Sequence, residues 1–194
     1  MVKTVEAKRS GRASALSADD RRSTIIEATL PLLLANAEMV TTRQIAEAAG
    51  IAEGTIFRVF ADKDEMIAAV IDFAMDPAPI EEALRAIDPS APLEVVLTEA
   101  IELLQRRTIE VWRLMSSVGP HFHAHVRRPM TASPASIALL KAHRAELSMK
   151  PEAAARLLRA LVLSTSHPML VEEPMPPAAI ASLFLHGVGR RSSC

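Results

Sequence analysis

Cysteine is all but missing from this chain. The single thiol, Cys194, is the last of 194 residues, so neither a disulfide framework nor a cysteine-based metal site can form within one chain. Tyrosine is absent and glycine numbers only six, while alanine and leucine outnumber valine and isoleucine. Strand-type alternation is hard to find and helical spacing is easy to find, so the chain reads as all-α. No apolar run approaches the ~18 residues of a membrane span. An excess of positive charge is missing too. Lys and Arg total 22 against 23 Asp and Glu, a net charge of −1, so any nucleic-acid binding must rest on local charge placement. Glycine-rich phosphate loops, a nucleophile elbow and the helical carboxylate–histidine motif are all lacking, and no enzymatic chemistry or cofactor is expected. The opening MVKTVEAKRSGRASALS has no apolar stretch of the kind a secretory signal needs, and a cytoplasmic location is expected.

What is present is an ordinary globular composition, 49% apolar and 23% charged, enough to build a core. Residues 1–16 set Lys3, Lys8, Arg9 and Arg12 among small residues with little to bury. They are expected to form a disordered basic arm, either a solvated tail or one adding contacts to nucleic acid. Ser17 and Asp20 signal a helix start, and Ile25, Ile26, Thr29, Leu32 and Leu33 then share one face. Pro31 interrupts that helix and predicts a kink, at about 3 kcal/mol in a regular helix. Thr41-x-x-Gln44 has the form of a capping box opening a short helix to Ala49. Gly50 suits the left-handed residue that ends it. A second short helix is expected from about Glu53 to Phe60, and Asp62 caps a third through Met66, Ile67, Val70, Ile71 and Phe73. The DPAP at 76–79 marks a boundary. Beyond it, helices are expected at Ile80–Ile87, Leu93–Val118, Ile137–Met149, Glu152–Ser166 and Ala178–Val188. The plan is a basic arm (1–16), a small helical unit (17–75) and a larger helical body (80–190).

Residues 41–60 have the spacing of two helices crossing steeply through a tight turn. Ala46 is small where the second helix crosses, Gly50 tolerates positive φ four residues later, and Ile56 points back into the corner six residues after that. Ile45, Ala49, Ile51 and Phe60 complete a small core. This is the spacing of a helix-turn-helix, which offers its second helix to the major groove of DNA. The outward positions agree: Thr41, Thr42 and Arg43 open the first helix, Gly54 and Thr55 open the second without bulk, Arg58 lies away from Ile56, and Lys63 opens the next helix.

Segment 21–75, through RRSTIIEATLPLLLANA and TTRQIAEAAGIAEGTIFRVFADKDEMIAAVI, resembles the DNA-binding domain of the TetR family of transcriptional repressors. The resemblance implies an N-terminal three-helix DNA-binding domain with a helix-turn-helix, and a C-terminal helical domain for ligand binding and dimerisation. It implies that Thr41, Thr42, Thr55 and Lys63 hold phosphates and that Arg43 reaches a base edge or a phosphate. Gly54 would allow close approach, and Arg58 would sit on the recognition helix. Four positions depart from the family pattern. Phe57 replaces the usual tyrosine and loses its hydroxyl, and Val59 stands where histidine is common. Ala52 replaces a frequent serine cap, at about 1 kcal/mol. Glu53 stands where a basic residue is frequent; it can accept from a cytosine amino group or favour the helix dipole. Residues 1–75 hold nine Lys/Arg against eleven Asp/Glu, so Glu27, Glu47, Asp64, Glu65 and Asp72 are required to face mostly away from DNA.

The resemblance also implies partners: a double-stranded DNA operator, a second copy of the chain and a small-molecule effector. Leu157, Leu161, Ile180 and Phe184, on the apolar faces of the last two helices, are the expected dimer-interface residues. Phe73, Leu104, Trp112, Met115, Phe122 and Met130 are candidate lining residues of an effector cavity, and their apolar stripes favour an apolar or aromatic ligand. HFHAH at 121–125 could bind zinc or nickel if extended. On a helix its imidazoles diverge, and a polar loop or pocket rim is the preferred reading. The alternatives to a ligand-responsive repressor are therefore a ligand-independent DNA binder of the same type and a His-based metal-binding helical protein.

Overall fold

The computed structural model describes residues 17–36, 40–118, 122 and 133–187. The basic arm, Met130 and all of HFHAH except Phe122 lie outside the described residues. Every described regular element is helical: α1 (Ala18–Asn36), α2 (Thr42–Ala49), α3 (Glu53–Val59), α4 (Lys63–Ala74), α5 (Ala78–Arg85), α6 (Leu93–Ser117), α7 (Pro134–Ala142), α8 (Pro151–Ser166) and α9 (Pro177–His186), with a 3₁₀ turn at Arg144–Glu146.

The helix starts follow local chemistry. The Ser17 hydroxyl accepts from the Asp20 amide at 3.0 Å, and the Asp20 carboxylate accepts from the Ser17 amide at 3.2 Å. These bonds hold the Asp20 carboxyl below the usual carboxylate range. Asp62 accepts from the Glu65 amide at 2.7 Å and opens α4. Proline stands in the first turn of α7, α8 and α9, where its missing N–H costs nothing. Pro31 does not break α1, which runs on to Asn36. Its ring faces solvent, and the buried Thr29 hydroxyl just before it is satisfied by the Ile25 carbonyl at 2.6 Å.

Leu93–Ser117 is one unbroken helix of 25 residues, within one residue of its expected extent. One expectation about extent needs correction. The helix expected to reach Met149 ends at Ala142. His143, with φ −102° and ψ 25°, leaves the helical region, and the 3₁₀ turn takes over.

The apolar faces collect into three cores. The first joins α1–α4 through Ile25, Leu33, Ile45, Ile56, Phe60, Met66 and Val70, and is completed by Leu114, Met115, Val118 and Phe122 at and beyond the end of α6. The second packs Leu97 and Ile101 of α6 against Leu140, Leu158, Val162 and Ile180. The third sets Leu84 and Ile87 against Val96, Ala100 and Leu139. Each such burial contributes about 1.5–3 kcal/mol. α6 is thus shared: its first half belongs to the body and its last turns belong to the core of the N-terminal unit. At about 1.5 Å per residue it spans roughly 37 Å. Polar clamps fix its path. The Gln105 amide donates to Ser166 Oγ at 2.9 Å and to the Met175 carbonyl at 2.8 Å. Arg107 donates to the Asp76 carbonyl at 3.1 Å in the α4–α5 connection. Among the described residues no helix is long and apolar enough to cross a membrane.

Candidate nucleic-acid interface

The turn between α2 and α3 is built by backbone geometry. Gly50 adopts φ 65° and ψ 32°, and its amide donates to the Ala46 and Glu47 carbonyls. The Ile51 amide adds a 3.0 Å bond to the Ala46 carbonyl. This left-handed residue closes α2 and throws the chain sideways into α3. Ile45 and Ala46 from α2 and Ile56 from α3 are buried in the corner so formed. Thr41 and Gln44 form the complete capping box expected of them.

The opposite side of the pair carries the predicted contact residues. Thr41, Arg43, Glu53, Gly54, Phe57 and Arg58 are exposed, and Thr42, Thr55 and Lys63 are half-buried. Phe57 leaves 53% of its surface open. An added Cβ on Gly54 would meet nothing within 4 Å, so this glycine answers no packing need inside the chain. Ala52 supplies no side-chain cap to α3.

Several of these groups already have partners in the free chain. The Thr42 hydroxyl donates to the Glu53 carboxylate, linking the front of α2 to that of α3. Arg43 pairs with Glu47 at 3.1 Å on an exposed surface. Lys63 donates to the Val40 carbonyl at 2.7 Å, just ahead of the α2 cap. The α3 C-terminus is secured by Arg22, which the sequence reading did not single out. Arg22 of α1 donates to the Val59 carbonyl and to Glu65, both at 3.4 Å, and its guanidinium lies 4.3 Å from the Phe60 ring centroid. Glu65 in turn accepts from the Ala61 amide at 2.7 Å. A cation at a helix C-terminus meets the negative end of the dipole, so this network fixes the orientation of α3. Beside α3 runs a groove of about 420 Å³ between its outer face and the first turn of α1.

The remaining candidates are scattered. Phe73 is 48% exposed on α4. Met115 and Phe122 are packed in the core of the N-terminal unit. Leu104 lies between the two body cores. Trp112 is half-buried and stacks on His167, ring centroids 4.5 Å apart and planes tilted by 55°. Leu157 is 41% exposed, Leu161 and Phe184 are half-buried, and Ile180 is wholly buried in the chain's own core. Among the described residues no group of His, Cys, Asp and Glu is placed to hold a metal ion.

An all-α chain with a bent helix pair whose second helix presents small, basic and aromatic groups to solvent belongs to the helix-turn-helix class of DNA-binding proteins. Comparison supplies the family. Residues 25–70 match the family model for bacterial regulatory proteins of the tetR family, a segment that contains the whole α2–α3 pair. Solved structures share the fold over most of the chain. A regulator of the TetR/AcrR family from Thermobifida fusca is 22% identical, with a TM-score of 0.58 over 88% of this chain and 100% of that one. The TetR-like regulator LfrR from Mycobacterium smegmatis, in complex with proflavine, is 20% identical, with a TM-score of 0.54 over 88% of this chain and 98% of that one. A transcriptional regulator from Rhodococcus sp. Rha1 is 18% identical, with a TM-score of 0.54 over 88% and 94%. At such identities the likeness is one of fold. No curated protein matches the chain in sequence.

Proposed function

We propose that this chain is a ligand-responsive repressor that binds a palindromic operator as a homodimer and leaves it when a small apolar or aromatic effector occupies the body. The observation that carries the reading is the outward face of the α2–α3 pair, where exposed Phe57, Arg58 and Gly54 stand on a helix fixed at both ends. One such unit reads only a few base pairs, and two related by a two-fold axis read two half-sites. The half-exposed apolar residues of α8 and α9, led by Leu157, Leu161 and Phe184, supply a surface for pairing with a second copy. Ile180 supports that surface from beneath.

The route from effector to DNA is α6. A ligand acts only through unequal affinity for two arrangements of the protein. A helix whose ends belong to different cores converts a shift in the body into a shift of the N-terminal unit. Trp112, beside His167, offers the aromatic surface for a planar ligand, and the proflavine complex of LfrR makes planar aromatic compounds the first probes to use. Arm residues 1–16 and a cytoplasmic setting complete the proposal.

Selection of bound fragments from genomic DNA by the full-length chain tests it. A two-fold symmetric consensus is expected, and planar aromatic compounds should release the protein from it. Enrichment of no consensus would remove the operator-binding reading. A consensus that no compound disturbs would leave a ligand-independent binder.

A further inference from the structure

The N-terminal unit is acidic. Residues 17–75 hold five Lys/Arg, namely Arg21, Arg22, Arg43, Arg58 and Lys63, against ten Asp/Glu. Three of the five cations are committed inside the chain: Arg22 to Glu65 and the Val59 carbonyl, Arg43 to Glu47, and Lys63 to the Val40 carbonyl. The guanidinium groups of Arg21 and Arg58 have no partner among the described residues. Both line the same groove, together with Thr55 and the apolar Ile51 and Val59, and no carboxylate lines it. These two cations share one groove without a carboxylate, in a unit where acids outnumber bases two to one, and so are open to an anion from outside the chain. Arginine forks match phosphate oxygens geometrically, and a threonine hydroxyl is a further donor.

We propose that Arg21 and Arg58 form a clamp for a phosphate of the DNA backbone beside the recognition helix, with Thr55 as third donor. Arg21 is then a DNA-contact residue contributed by α1, outside the helix-turn-helix. The proposal rests on the DNA-binding reading and assigns which cations anchor the duplex. Thr55 alone would not do so, and Arg43 must first be released from Glu47. The clamp lies at the flank of α3, so it sets register on the duplex rather than base preference.

The test uses the full-length chain and the duplex it enriches from a random library of about three helical turns. Affinity is measured across a salt series for wild type, Arg21→Ala, Arg21→Lys and Arg58→Ala. Each phosphate contact adds about 0.9 to the slope of log affinity against log salt. Arg21→Ala should therefore lower that slope by about one, and lose affinity on the selected and on a scrambled duplex alike. Between 50 and 200 mM salt its affinity should fall about threefold less than that of wild type. Arg21→Lys keeps the charge and should restore the slope but only part of the affinity. Thermal unfolding should be unchanged, because Arg21 pairs with nothing in the free chain. Inorganic phosphate is the control for a free-anion site. If it stabilises wild type and not Arg21→Ala while the DNA slope is equal for both, the groove takes a small anion and the clamp is wrong. Equal affinity and slope for Arg21→Ala and wild type overturn it as well. If wild type itself enriches no duplex, the DNA-binding reading fails first, an outcome distinct from either.

Discussion

Glu53 stands exposed at the front of α3, on the surface proposed to meet DNA, and the Thr42 hydroxyl is bound to it. A phosphate approaching Thr42 must displace that carboxylate and tolerate its charge. Glu53→Gln should therefore raise affinity for duplex DNA about two- to fivefold at low salt, with less effect at high salt, where charges are screened. Binding titrations at two ionic strengths check this, and weaker binding would instead mark Glu53 as an acceptor from a cytosine amino group. Arg43 and Lys63 separate in the same way. The Arg43–Glu47 pair is exposed on both sides and is worth at most about 0.5 kcal/mol, so Arg43→Ala should weaken operator binding and leave stability nearly unchanged. Lys63 spends one ammonium proton on Val40 in a partly buried setting and keeps two for a phosphate. Lys63→Ala should lose about 1 kcal/mol of stability as well as affinity, measured by urea denaturation beside the binding titration.

Caps and corners decide how the short helices hold their positions. α3 has seven residues and no side-chain cap at Ala52, although the φ of −72° and ψ of 140° there are those of a capping residue. A serine at that position accepts from an exposed amide without moving the backbone, so Ala52→Ser should raise the stability of the N-terminal unit by about 0.5–1 kcal/mol. A higher midpoint in chemical denaturation is the readout, and no change would mean that the first turn is already satisfied by water. These signals were also the ones legible in the sequence. Ser17 with Asp20, Thr41 with Gln44, and Asp62 all act through atoms within four residues, so their spacing is enough to find them. Gly50 was legible because a left-handed residue at a helix end has few alternatives. The Arg22–Val59–Glu65 network was not legible, since its partners are 37 and 43 positions apart and meet only once α1 packs on the turn after α3. The early end of α7 escaped notice for a related reason: Ala145 and Leu147 continue the apolar period, while burial of His143 is set by tertiary packing.

The whole molecule is organised around α6, which enters two body cores and ends in the N-terminal unit. The sequence marked a boundary at 76–79, yet the first core crosses it by recruiting Leu114, Met115 and Val118 from the far end of the chain's longest described helix. Periodicity shows that a face is apolar; it does not show which neighbour covers that face. The same ambiguity affects α8 and α9, where the four residues expected at a dimer interface have different exposures in one chain. Ile180 is wholly buried, whereas Leu157 leaves 41% of its surface open. A charge at Ile180 is placed among Leu97, Ile101 and Leu158 of its own chain, so Ile180→Arg should unfold the protein or leave it aggregated. A charge at Leu157 stays in solvent in one subunit and is buried only when two subunits pair. Leu157→Arg should keep the helical circular dichroism of wild type yet sediment as a monomer. Its affinity for a two-half-site operator should fall by a far larger factor than its affinity for a single half-site, because the second half-site is then bound independently. A Leu157→Arg protein that sediments like wild type and binds the full operator equally well would show that α8 is not the surface through which two copies meet.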